Sequence, residues 1–118
     1  MDPEKLNSEK TETIRQVREV LNSITVKIPD FPLHSIERNK LLESSTELEM
    51  VLLKIIEQDI LLICIELSVS GARLKDVAAE LSSINEKLSS ISQEIKKVAQ
   101  TIARLVEIAG AASTLGII

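Results

Sequence analysis

Aromatic residues are almost missing from this chain of 118 residues: Phe31 stands alone, with no Trp and no Tyr. A compact core of mixed architecture draws several aromatics inside for the area they bury. A core built from Leu, Ile, Val and Ala suits regularly packed helices, where layers repeat and no large gap needs filling. Glycine and proline are also scarce, three of each, and the prolines (Pro3, Pro29 and Pro32) all precede Leu33. Residues 33–118 are left with almost no turn punctuation.

Cys64 is the one cysteine, so an intramolecular disulfide and a thiolate zinc site are both excluded. Within LLICIEL it reads as a small buried hydrophobe. His34 is the one histidine, has no second ligand or acid partner in view, and reads as a surface or capping residue. No nucleotide loop, Gly-rich phosphate cradle, catalytic triad or metal cluster is present. We assign no catalytic, cofactor-binding or metal residue and expect a protein that is not an enzyme and carries no cofactor. The opening MDPEKLNSEK is charged, unlike a signal peptide, so a cytoplasmic location is expected, with leaderless secretion left open.

The formal net charge is −4 and unevenly spread. Residues 1–35 carry five basic and six acidic side chains, residues 36–71 three and seven, and residues 72–118 six and five. With no basic cluster, phosphate-contacting nucleic-acid binding is disfavoured, and the lack of aromatics removes the base-stacking route. A polybasic membrane-targeting patch is missing as well.

What the chain does have is helical periodicity, read as one domain over 1–118. Asp2 and Pro3 suit a helix start, and Ile14, Val17, Leu21 and Ile24, widened by Val20, form one apolar stripe. We expect a first helix over 3–24. A proline-containing connector (25–34) follows, whose Val26, Ile28, Phe31 and Leu33 should pack on the bundle. A second helix is expected over 33–69. From Met50 to Val69 it is apolar around an arc of roughly 200°, which needs at least two neighbouring helices to cover it. The run MVLLKIIEQDILLICIELSV is long enough to span a bilayer, but Lys54, Glu57, Asp59 and Glu66 make that expensive. Asp59 and Glu66 could form a buried acid pair for a metal or proton; we read them instead as residues at an interface edge, since no Glu-x-x-His motif accompanies them.

The third helix, expected over 72–112, carries an almost unbroken heptad. Leu74, Leu81, Leu88, Ile95 and Ile102 hold one seam position, and Val77, Ile84, Ile91, Val98 and Leu105 the other. Within it LSSINEK is followed at once by LSSISQE, with serines where a two-stranded coil carries charge pairs. Small flanks admit close neighbours on more than one side, as in a bundle. Gly71 is the expected pivot of a long antiparallel hairpin of 33–69 against 72–112; the alternative is one continuous helix through Gly71 in an oligomer. The hairpin would make Gly71→Ala destabilising.

The fold expected is therefore all-α, a coiled-coil-like bundle. The partner expected is a second copy or another helical protein, met through Leu81, Ile84, Leu88, Ile91, Ile95, Val98, Ile102 and Leu105. A less favoured alternative is a membrane-active protein that uses its uncharged C-terminal stretch 108–118 as a membrane or docking tip, with Ile108, Leu115, Ile117 and Ile118 as its apolar residues. Residues 113–118 form the apolar tail of that stretch.

Overall fold

A computed structural model describes residues 3–57 and 60–114. Helix α1, Pro3–Lys27, buries Leu6, Val17, Val20 and Ile24 on one side. Its outer face is polar: Arg15 donates to both Glu12 and Glu19, and the guanidinium holds the Glu12 carboxyl below its ordinary value. The helix outlasts its expected end at residue 24 by one turn, because Pro29 sits inside a short 3₁₀ turn, Ile28–Asp30, where a missing N–H costs little. Phe31 then turns extended (φ −119°, ψ 142°), as a residue before proline prefers, and buries its ring. Of the other connector residues Ile28 packs partly on the core, whereas Val26 and Leu33 are exposed.

Ser35 starts α2, Ile36–Glu57: its Oγ accepts the Arg38 N–H at 3.2 Å, a side-chain N-cap. His34 precedes this cap at φ 67°, the left-handed region. Leu41, Ser44, Leu48, Val51 and Ile55 face inward, and the Ser44 hydroxyl donates to the Lys40 carbonyl at 2.7 Å. Helix α3, Ile60–Ile84, runs back beside α2. Lys40 pairs with Glu80 near one end, Glu47 with Arg73 further along, so each step up one helix is a step down the other.

The reversal thus lies between Glu57 and Ile60, and the expected turn at Gly71 is corrected: α3 passes straight through it. Ser68–Gly71 are mediocre or poor helix formers, a local penalty of about 2–3 kcal/mol. Burial of Leu67, Ser70, Gly71 and Leu74 against the bundle offsets that penalty. The expected single helix over 72–112 is corrected too. It breaks at Asn85, which is extended (φ −159°, ψ 128°) and accepts the Lys87 N–H on its side chain at 2.9 Å. Ser82 and Ser83 donate their hydroxyls to the carbonyls of Ala79 and Glu80, one turn back in the last turns of α3, a local side-chain bond that competes with helix continuation. After a 3₁₀ turn, Glu86–Leu88, helix α4 runs from Ser89 to Thr114.

The four helices close into an up-and-down bundle of 51 × 20 × 19 Å. Helix α1 lies beside α2 and α4, and α3 beside α2 and α4, with α3 and α4 in the most extensive contact. Glu9–Arg104, Gln16–Thr101 and Ser23–Glu94 tie α1 to α4 in antiparallel register. Both expected rods, the long hairpin and the continuous helix, give way to shorter helices because two turns are hidden in a seam that never loses phase.

Two outcomes follow for stability. A Cβ on Gly71 would sit 3.6 Å from Ile102 Cγ2 and 3.8 Å from the Ala99 carbonyl oxygen, ordinary contact distances. Gly71→Ala should therefore raise stability by about 0.5–1 kcal/mol in thermal or urea unfolding; a loss would contradict an uninterrupted α3. Glu80, then Glu43, holds the Lys40 pKa above its ordinary 10.5. A folded value above the unfolded one stabilises fully below about pH 10.5 and fades as pH rises through the folded value. Lys40→Met should cost about 0.5–1 kcal/mol at neutral pH and progressively less as pH is raised above about 10.5, read from paired urea curves.

Candidate docking face

The heptad residues are the first to place. Leu81, Leu88, Ile91, Ile95, Val98, Ile102 and Leu105 are all buried in the chain's own core, and Ile84 packs partly buried against it. As a surface for a partner this assignment is corrected: the seam of α3 and the seam of α4 face each other across the hairpin at Asn85. Ile108, expected at a docking or membrane tip, is likewise a core residue. Leu115, Ile117, Ile118 and Asp59 lie outside the described residues, as does the side chain of Cys64. Glu66 is exposed rather than half of a buried acid pair.

What the bundle leaves outside is the back of α2 and the start of α3. Nine large aliphatic side chains among the described residues are strongly exposed, and seven of them lie on this one hairpin: Ile36 at the start of α2, then Leu42, Met50, Leu53, Ile56, Ile65 and Val69. Heptad geometry explains why. The buried line of α2, Leu41–Ser44–Leu48–Val51–Ile55, advances by three and four residues. A second line, Leu42–Thr46–Glu49–Leu53–Ile56, advances by four and three on the far side of the same helix, and every member is exposed. Helix α2 thus has two seams and only one is covered. The register set by Glu47 and Arg73 brings Met50 level with Val69 and places Leu53, Ile56 and Ile65 within about two turns of the reversal. Ile65 is 82% exposed, the highest value among these side chains.

This surface was hidden in the expectation of a fully sandwiched second helix. The wide arc from Met50 to Val69 was itself the signal, since a square bundle gives each helix two neighbours and still leaves an outer side bare. The exposure is framed by acid. Between Lys40 and Arg73 the chain holds six acidic residues and one basic residue, Lys54. Glu49, Glu57 and Glu66 are exposed and make no ion pair among the described residues.

Clefts elsewhere are shallower in chemistry. A polar groove of about 720 Å³ between α1 and α4 is lined by Glu9, Gln16, Thr101 and Arg104, which already pair with one another. A second, about 400 Å³, holds Lys27, Lys87, Ser23 and Glu94 at the N-terminal end of α4. Among the described residues no three His, Cys, Asp or Glu side chains gather as a metal would need, and no helix is long and apolar enough to cross a membrane. No protein-family model matches the chain, and no curated protein or solved structure matches it.

Proposed function

We propose that this chain is a non-enzymatic helical bundle that works by docking another protein on the outer face of its α2–α3 hairpin. The observation that supports this is the second, uncovered seam of α2 together with Ile65 and Val69. Large aliphatic side chains gathered on a solvent-facing side are a common mark of an interaction surface. Holding these side chains in water contributes little to the fold, since stabilisation follows the area removed from water. Self-association through the heptad seam is the weaker form of the idea, because it would require opening a filled core. The lone cysteine fits a reducing setting, and we place the protein in the cytoplasm.

Light scattering on the purified chain separates the two forms. We expect a mass near the 13.0 kDa of one chain. Leu53→Gln combined with Ile65→Gln should change unfolding free energy by no more than about 0.5 kcal/mol per site, as exposed positions do. Ile95→Ala should cost about 2–5 kcal/mol, as a filled core position does. A stable oligomer that survives the outer-face substitutions and dissociates on Ile95→Ala would overturn the docking-face reading and restore the seam as the interface.

A further inference from the structure

We infer that the occupant of this face is an amphipathic helix whose apolar ridge is flanked by Lys and Arg. The inference rests on the docking-face reading and adds the partner's chemistry. The exposed line from Leu42 to Ile56 is straight and helical, about four turns or 21 Å long. A surface of that shape is matched by another helix laying residues at i, i+3, i+4 and i+7 along it. Beside it, Met50 of α2 and Val69 of α3 are exposed at the same level along the α2–α3 contact, and Ile65 is exposed nearer the reversal.

Charge decides among the helices that could lie there. The stretch 36–71 carries seven acidic and three basic residues, the same −4 as the whole chain, because the remaining stretches cancel at −1 and +1. Two of its three basic residues are tied down locally: Lys40 by Glu80 and Glu43, and Arg38 by donating to the Phe31 carbonyl. Glu49 lies within the exposed line itself, Glu57 is exposed at the end of α2, and Glu66 is exposed on the side of α3 that carries Arg73, level with Lys54. A second copy laid face to face would bring these unpaired carboxylates together, which disfavours it. Laid the other way, with its basic α4 residues Lys96, Lys97 and Arg104 against the acidic face, a second copy would lack an apolar counterpart. No strongly exposed large aliphatic side chain occurs on α4 among the described residues. An anionic bilayer is repelled for the same reason as the second copy. A helix with an apolar ridge and basic flanks satisfies both the shape and the charge.

The test uses the full chain and three synthetic helical peptides with one Leu ridge and Lys, Gln or Glu flanks, titrated by calorimetry. The Lys-flanked peptide should bind about tenfold tighter than the Gln-flanked one, as two or three partly exposed pairs provide, and the Glu-flanked one weakest. Its advantage should shrink as salt is raised. Glu49→Gln with Glu57→Gln should remove most of that advantage, and Leu53→Gln with Ile65→Gln should abolish binding while the circular dichroism spectrum is kept. Equal binding of all three peptides would overturn the basic partner and leave the docking face standing. No peptide binding overturns it as well. In that case a dimer dissolved by the Leu53 and Ile65 substitutions identifies a second copy. Cosedimentation with phosphatidylserine vesicles, lost in the same variant, would instead identify a bilayer.

Discussion

Across the α3–α4 hairpin the Ser92 hydroxyl donates to the backbone carbonyl of Ala78 at 2.6 Å, a contact that two helices reach only when their backbones run close together. The chain has one aromatic ring with which to bridge a gap, so its interior is closed by bringing helices in rather than by filling the space between them. Gly71, Ala78, Ser92, Ala99 and Ala109 are all buried small residues, and the Gly71 backbone faces Ala99 and Ile102. Once α3 and α4 are drawn together, their remaining inner faces need cover from α1 and α2. Those two helices contribute Val17, Ile24, Leu41, Leu48 and Ile55. The hydroxyls that burial takes from water are satisfied locally, Thr13 by the Glu9 carbonyl and Ser44 by that of Lys40.

The helical class was legible in the heptad, and so were the residues of its seam, although their partner is the chain's own α3–α4 hairpin and not another protein. The turns were not. Leu81 and Leu88 are seven residues apart whether the chain runs straight or reverses at Asn85 between them, so a period of seven cannot register a change of direction. The cue was there in weaker form: Ser82, Ser83 and Asn85 are residues whose side chains compete for backbone groups, and here they close one helix and open the next. Gly71 misled in the opposite sense. A glycine beside serines resembles a stop, yet at a crowded helix contact it is valued for lacking a side chain.

The candidate face was half legible. The apolar width of 50–69 and the acid surplus of 36–71 are plain in the sequence, and among the described residues Met50, Leu53, Ile56, Ile65 and Val69 are exposed together with Glu49, Glu57 and Glu66. Which side of that width would be covered depended on where the chain turned. With the reversal at Gly71, Leu53 and Ile65 belong to a single long helix sandwiched by others. With it after Glu57, they come to lie together on the outside of two antiparallel helices. Two sides of α2 are thereby distinguished: the line through Leu48 and Val51 holds the bundle, and the line through Leu53 and Ile56 stays exposed.

Where the chain reverses is therefore the claim from which the rest follows, and a distance between α2 and α3 tests it. Spin labels at Glu43→Cys and Asp76→Cys, in a Cys64→Ala background, occupy exposed sites that the register places side by side. Helices packed 8–10 Å apart with outward labels predict a separation of about 10–20 Å by pulsed electron resonance. A reversal at Gly71 would hold the labels about 35 Å apart, and a continuous helix about 50 Å. A distribution centred at either of those longer distances would contradict the bundle and, with it, the face proposed for docking.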